Sequence, residues 1–201
     1  MSNFTDFFPA AGGGGGIPKY AEFTANGTWT PPQELIDAGG RISYLVVGGG
    51  AGGPHQGSSG QYTGAAGGEV KIGYNTLTST TALAITIGTG GIQAVYPNTT
   101  GTAGADSIAA FATAGGTTIT ASGGSGANNS ANNGNNWGAT SGTYSNFPYA
   151  SSAHPGYMGI YGRGGAAGFG SGGGDPIANT GSGGGVNTPG ATGFVRITWF
   201  E

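Results

Sequence analysis

The sequence of 201 residues has no cysteine, few charged residues and no long apolar run. Without cysteine, neither disulfides nor thiolate metal sites can stabilise the fold. Only 6% of the residues are charged and the formal net charge is −3, so we expect no nucleic-acid partner. The start of the chain, MSNFTDFFPAAGG, has no basic region followed by an apolar run. We therefore expect neither a secretion signal nor insertion into a membrane.

Glycine is what the sequence has in excess, with 48 of the 201 residues. Disordered chains usually combine low hydrophobicity with high net charge, whereas this chain is 36% hydrophobic and nearly neutral. Because glycine loses the most backbone entropy on folding, an ordered glycine-rich chain needs compensating interactions. A regular array of backbone hydrogen bonds between segments would provide them.

Short segments of alternating apolar residues predict an all-β fold of six or seven strands. Residues 42–47 are apolar on both faces, so we expect this strand at the centre of a sheet, between layers. In residues 69–74, Val70, Ile72 and Tyr74 share one face, and Glu69 and Lys71 share the other. Residues 33–38 have helical character but are too few for more than a connector. The other predicted strands lie within residues 22–30, 83–87, 107–111, 117–121 and 192–200.

These strands predict a small β-sandwich or jelly-roll-like scaffold. Turn residues separate them, as Asn26-Gly27 does within residues 22–30. The expected core consists of Phe23, Trp29, Leu45, Val47, Ile85, Ile87, Val195, Ile197 and Trp199.

A three-residue glycine period lies between the predicted strands 117–121 and 192–200. The glycines in one frame are Gly156, Gly159, Gly162, Gly165, Gly168 and Gly174. This period fits a left-handed extended helix of polyproline II type, which makes no internal hydrogen bonds. We therefore predict that several such helices lie side by side and bond to one another. Further candidates are residues 48–53, 64–68, 101–104 and 181–185.

The candidate binding surface lies within residues 128–161, which contain aromatic rings among Asn, Ser, Thr and Gly and no acidic or basic residue apart from His154. Tyr with Ser, Gly and Asn is the composition of adaptable binding loops. The alternative is that the rings cover the glycine helices or pack against a neighbouring subunit. The predicted binding residues are Trp137, Tyr144, Phe147, Tyr149, Tyr157, Tyr161, Asn133 and Asn136.

Other motifs carry little chemistry. Gly48, Gly50 and Gly53 satisfy GxGxxG after a strand, but a dinucleotide site needs a helix directly afterwards, and the residues that follow cannot form one. His55 and His154 lie beside prolines in separate loops, and no calcium-type cluster of oxygen ligands is present. We expect a protein that is not an enzyme and has no catalytic residue, cofactor or metal site.

Several ordered blocks across residues 20–201 resemble the glycine-rich domain of bacteriophage tail-fibre and receptor-binding proteins. The blocks are FTANGTWTPP, RISYLVVGGGAGG, GGEVKIGYNTL, AITIGTGG and PGATGFVRITWFE. The chain is similar to the T-even-type phage adhesins in its organisation and not along its whole length, and it has only one clear run of glycine triplets. The resemblance implies a β scaffold that carries packed polyglycine II helices, whose loops bind a bacterial surface receptor, a glycan such as lipopolysaccharide or an outer-membrane protein.

The resemblance also implies an organisation. Residues 1–20 would be an attachment segment and linker, in which Phe4, Phe7 and Phe8 contact other tail-fibre or virion proteins. Residues 21–201 would form the glycine-rich β domain, with the scaffold in 21–121 and 192–201 and the receptor-facing segment in 122–191. We expect a homotrimer or a monomeric cap, assembled in the host cytoplasm into the virion tail fibre and extracellular after lysis. The alternatives are a purely structural fibre component and an ice-binding or matrix protein.

Overall fold

The computed structural model describes residues 16–55, 65–95, 100–125, 178–185 and 187–201. These residues form two four-stranded antiparallel sheets with almost no helix, which confirms the predicted all-β class. The strands are β1 (Pro18–Phe23), β2 (Gly27–Trp29), β3 (Arg41–Val47), β4 (Val70–Thr76), β5 (Leu83–Thr86), β6 (Ser107–Ala109), β7 (Ile119–Ala121) and β8 (Phe194–Phe200). One short helix, α1 (Gln33–Asp37), and a 3₁₀ turn (Phe111–Ala114) complete the described elements.

The first sheet has the strand order β1-β8-β3-β4, and the second has the order β2-β5-β6-β7. Strand β3 is bonded on both edges, with Ser43 opposite both Thr198 of β8 and Tyr74 of β4. Its central position confirms the prediction from its apolar residues on both faces.

Side chains of both sheets meet in one apolar cluster. Trp29 of β2 and Trp199 of β8 lie 5.4 Å apart between ring centroids. Leu35 of α1 and Phe111 of the 3₁₀ turn are almost fully buried in the same cluster. Of the predicted core residues, this cluster contains Trp29, Ile85, Ile87, Val195, Ile197 and Trp199.

Two predicted core residues, Leu45 and Val47, belong to a second cluster instead, with Val70, Ile72 and Phe194. Successive residues of a strand point to opposite faces, so they lie on the side of β3 away from the shared cluster. Expecting them in one core with Val195 was wrong, because one strand supplies both faces of its sheet. Phe23 is half-buried and packs against the edge of the main cluster.

The alternation predicted for residues 69–74 agrees with β4, since Val70 and Ile72 belong to one cluster and Lys71 lies 3.6 Å from Glu69 Oε2. Burial does not follow the apolar pattern at the two ends: Glu69 is buried, whereas Tyr74 is 63% exposed, with the Arg41 guanidinium 5.0 Å from its ring centroid. The second apolar cluster includes Val70 and Ile72 but does not reach Tyr74. The predicted strand 107–111 ends at Ala109, because Phe111 turns into the core.

The two ends of the described part of the chain, near Ile17 and Glu201, meet along the edge of the first sheet. Strand β1 begins at Pro18, within the segment that the sequence assigns to attachment, and pairs with β8 along its whole length. The Ile17 N–H donates to the Glu201 carbonyl at 2.6 Å. Arg196 pairs with Glu22, its Nε donating to Oε1 at 2.6 Å. These contacts bring residues from both ends of the described chain into one sheet.

Candidate functional site

The described residues include seven glycine-rich segments, called the glycine segments below, six of which adjoin a strand. Three segments leave the sheets after β3, β5 and β7, and three lead back into β4, β6 and β8. The seventh, residues 181–185, adjoins no strand. In chain order they are residues 48–53, 65–69, 88–94, 101–105, 122–125, 181–185 and 188–193.

Residues 48–53 are the central segment of this group. Its successive N–H groups donate to three other segments in turn, and the order repeats after three residues. The partner numbers fall as the donor numbers rise, so the three accepting segments run antiparallel to it. The donor–acceptor pairs are Gly48–Glu69, Gly49–Ala105, Gly50–Ala191, Ala51–Ala66, Gly52–Thr102 and Gly53–Thr188, with N···O distances of 2.8 or 2.9 Å.

Carbonyl groups of the central segment accept from three further segments. The Gly50 and Gly53 carbonyls accept from Gly91 and Ala94, three residues apart on one neighbour that runs parallel. Gly124 donates to Gly49, and Gly184 donates to Ala51, both at 2.8 Å. The central segment is therefore bonded to all six of the others.

The six outer segments also bond to one another in a closed ring. Their order around the centre is 65–69, 122–125, 101–105, 88–94, 188–193 and 181–185. The bonds between adjacent segments include Glu69 N–H to Ser122 O, Gly104 N–H to Gly124 O, Ala105 N–H to Thr89 O, Gly190 N–H to Gly91 O, Ala191 N–H to Ser182 O and Gly68 N–H to Gly181 O.

Close approach explains why the central segment is glycine-rich. A Cβ added at Gly50 would overlap the Ser182 carbonyl, and one at Gly53 would overlap the Gly185 carbonyl. The one methyl group in the central segment, that of Ala51, packs with Ala65. Only hydrogen atoms fit between these backbones at most positions.

Polar side chains bind the first N–H groups beyond the strands, where sheet pairing ends. Ile87 N–H donates to Asn26 Oδ1 at 2.7 Å, and Gly88 N–H donates to Ser107 Oγ at 2.8 Å. These side chains satisfy donors that would otherwise be buried without a partner. Sequence reasoning missed them, although Asn26 just before β2 and Ser107 at the first position of β6 were usable signals.

Two carboxylates have the same role at the start of segment 122–125. Glu69 Oε2 accepts from Ser122 N–H at 2.9 Å, and Asp106 Oδ1 accepts from Gly123 N–H at 2.8 Å. The Lys71 ammonium lies 3.6 Å from Glu69 Oε2, which compensates part of the charge of this buried side chain. This contact explains why Glu69 is turned inward.

The end of the glycine segments away from the sheets is the candidate functional site, called the far end below. His55 and Val95 lie there, where described stretches of chain stop. His55 Nδ1 is 3.1 Å from Asn187 Oδ1, a contact between residues 132 positions apart. Ile92 and Val95 are 67% and 63% exposed, so this end presents apolar surface beside polar groups.

None of the residues predicted to bind a receptor or to attach the chain lies in the described part. The eight predicted receptor-binding residues, His154 and the glycine run 156–174 lie outside the described residues, as do Phe4, Phe7 and Phe8. Their predicted roles stay predictions. Gly48, Gly50 and Gly53 of the GxGxxG pattern all lie in the central segment, where each N–H is bonded to another segment.

Within the described residues, no group of three His, Cys, Asp or Glu side chains is placed to hold a metal ion. No helix there is long and apolar enough to cross a membrane. In comparisons with known proteins, neither a family model nor a curated protein matches the chain.

Proposed function

We propose that this protein is a bacteriophage tail-fibre adhesin or distal fibre protein, in which a β-sandwich carries a bundle of polyglycine II helices that displays receptor-binding loops. The observation that carries the proposal is the three-residue rotation of hydrogen bonds around residues 48–53. A polyproline II-type helix has three residues per turn and no internal bonds, so each successive amide must find a different neighbour. The shared core of the two sheets supports the sandwich part of the proposal.

The direction of the glycine segments supports a display role. Segments 48–53, 88–94 and 122–125 all run away from the sheets, and the described chain stops shortly after each of them. Residues 56–64, 96–99 and 126–177 follow these three segments. The sheets would thus form the base, and the sequences between glycine segments would supply the receptor contacts.

Within residues 126–177, the aromatic and Asn-rich part 128–161 favours an uncharged, ring-shaped ligand. Trp137 and Tyr149 offer faces for stacking on sugars, and Asn133 and Asn136 offer amides for hydroxyl groups. A bacterial glycan such as lipopolysaccharide fits this set, with an outer-membrane protein as the other receptor class. In the virion, Phe4, Phe7 and Phe8 would attach the chain to other fibre proteins, with a homotrimer or a monomeric cap at the tip.

The main alternative is a structural fibre component whose rings serve subunit packing. To separate the two, Trp137→Ala and Tyr149→Ala would be compared with the purified wild-type protein for binding to host envelope fractions and for blocking of phage adsorption. The matched control is Tyr74→Ala, which removes an exposed ring from the outer sheet face.

The proposal expects both loop variants to lose binding about tenfold or more, and the control to keep it. Stacking of a nucleic-acid base on an aromatic ring contributes about 1–3 kcal/mol, and we take the same order for a sugar ring. Binding should also survive about 1 M salt, which screens interactions between exposed charges, because the proposed contact is uncharged. Unchanged binding of both loop variants, with folding intact, would support the structural alternative instead.

A further inference from the structure

Of the four Lys and Arg side chains that the structure describes, only Arg41 has no carboxylate partner among the described residues. The other three form ion pairs, Lys19 with Glu201, Lys71 with Glu69 and Arg196 with Glu22. Arg41 is exposed, and its guanidinium lies over the ring of Tyr74, 5.0 Å from the ring centroid. Because that ring is uncharged, the described residues leave the positive charge of Arg41 available to an anion.

Arg41 borders an open cleft of about 580 Å³ at the strand ends away from the glycine segments. Strand β3 begins at Arg41, and β4 ends at Thr76, which is its direct partner across the two strands. The turn of residues 115–117, which precedes β7, forms the opposite wall. Tyr74 and Asn75 complete the described lining. The cleft therefore lies where the last strand of each sheet ends or begins, on the side opposite to the far end.

The Asn75 side chain holds the two walls of the cleft together. Its Nδ2 donates to the Thr117 carbonyl at 2.8 Å, and its Oδ1 accepts from the N–H groups of Thr117 at 3.2 Å and Thr76 at 3.0 Å. Gly115 has a φ of 89°, a conformation that favours glycine at this turn. These contacts fix the walls before a ligand binds, which lowers the entropic cost of binding.

The chemistry of the cleft fits a carboxylate. A guanidinium presents a planar fork of N–H donors that matches the two oxygens of a carboxylate. The hydroxyl groups of Thr76 and Thr117 bond to no residue that the structure describes, so they can donate as well. None of the described lining residues is acidic, and an incoming carboxylate would therefore meet no like charge there.

The setting favours a carboxylate on an extended peptide over one on a sugar. Arg41 already covers one face of Tyr74, the only ring in the described lining, which leaves less surface for a sugar to stack on. Strands β4 and β7 are edge strands, and an edge strand can pair with an extended segment of another chain. We propose that this cleft binds an acidic segment of a second protein, whose carboxylate is held by the Arg41 guanidinium.

Under the proposed function, the second protein would be a neighbouring fibre protein at the base of the sheets. Only this assignment of the partner rests on the proposed function. Binding of an acidic peptide rests on the cleft alone.

The test uses the full chain and two short blocked peptides, one with paired Glu residues and one with Gln in their place. Binding is followed by NMR, through chemical-shift changes of the Gly115, Gly116 and Thr117 amides in the cleft wall. Arg41→Gln removes the charge, and Arg41→Lys keeps the charge without the fork. The matched control is Arg196→Gln, which removes an exposed guanidinium from the same sheet.

We expect the Glu peptide to shift these amides and the Gln peptide to leave them unchanged. Arg41→Gln should weaken binding of the Glu peptide at least about tenfold, and Arg41→Lys should recover part of that loss. The Arg196→Gln control should bind like the wild type. Equal binding of the two peptides, or wild-type affinity of Arg41→Gln, would overturn the proposal. Preferential binding of glucuronate would overturn it in favour of an acidic sugar.

Salt separates this cleft from the proposed receptor contact. Binding of the Glu peptide should fall as salt rises to about 1 M, whereas receptor binding should persist. Tyr74→Ala, the control that keeps receptor binding, should bind the Glu peptide about threefold less tightly, because it removes the ring beneath Arg41. Peptide binding without receptor binding would contradict the adhesin role alone, and the reverse result would contradict this inference alone.

Discussion

The sheets and the glycine segments are both buried, but different interactions hold them together. Between the sheets, large side chains such as Trp29, Leu35 and Phe111 fill the space. In the central segment 48–53 every residue is buried, and the single methyl of Ala51 is its only side chain. Hydrogen bonds from each of its N–H groups to surrounding backbones replace apolar packing there. A buried interior can therefore be built from backbone alone when every amide finds a neighbour.

The two interiors should lose different amounts of stability when the volume of a buried residue changes. Apolar packing is non-directional, so a side-chain core can rearrange around a modest change. The glycine segments leave no such freedom, because the atom nearest to an added Cβ is a backbone carbonyl on another segment. Substitutions in the two regions test this contrast directly.

The largest effect is expected for Gly50→Ala in the central segment. The new methyl overlaps the Ser182 carbonyl and would separate two bonded backbones, so we expect a loss of about 4 kcal/mol or more from overpacking and broken bonds together. Urea unfolding of the purified protein measures it. Ala51→Gly, the neighbouring control, should cost about 1 kcal/mol. A Gly50→Ala protein as stable as the control would remove the contrast.

A smaller loss is expected for Leu35→Ala in the sheet core. Leu35 is 1% exposed, and truncating a buried leucine costs about 3 kcal/mol through lost apolar contacts and a cavity. The same unfolding experiment compares it with Ile36→Ala, whose side chain is only partly buried. If removing this side chain costs more than adding one methyl at Gly50, the two regions do not differ as we infer.

The junction between the two regions is tested at Glu69. Glu69→Ala leaves the Ser122 N–H without its acceptor, and we expect a loss of about 2 kcal/mol with faster exchange of that amide. Glu69→Gln keeps an oxygen acceptor and should recover most of the loss. Equal stability of the two variants would mean that the hydrogen bond is not what the junction requires.

The smallest effect concerns acid at the edge of the first sheet. A hydrogen bond from Trp199 Nε1 at 3.0 Å, and to a lesser degree Lys19 at 3.4 Å, lowers the pKa of the Glu201 carboxyl. The pKa of the Glu201 carboxyl is lower in the folded than in the unfolded state. Its carboxylate therefore stabilises the folded state at pH values above the unfolded pKa, and this stabilisation is lost as the pH falls through the folded pKa. We expect the Ile17 and Glu201 amides to lose protection, relative to their intrinsic exchange rates at each pH, as the pH falls, measured by NMR against a buried amide of segment 48–53.

Glu201→Gln is the control for this change, since it cannot titrate. Its Ile17 amide should exchange without this additional acid sensitivity. If the amides of segment 48–53 lose protection at the same pH as those of the sheet edge, the two regions unfold together in acid and the contrast between them fails.

Strand positions could be predicted from the sequence, because alternation and β-branched residues are local signals. The closing strand shows this: Val195, Ile197 and Trp199 are buried and Arg196 is exposed, as the alternation indicates. Glu69 could not be predicted, because its inward position depends on Ser122, a residue 53 positions away. The receptor-binding residues were predicted from composition alone, and all eight of them lie outside the described part of the chain.

By itself, the sequence determined the all-β class and the positions where side chains give way to bare backbone, since both depend on residue type and short-range order. Only the tertiary structure decided which segments are neighbours. A glycine allows another backbone to approach closely, but every bond that the central segment donates reaches a residue well separated in the chain, from Ala66 to Ala191. Such pairings follow from the way the sheets direct each segment, because glycines carry no side chain that could select a partner.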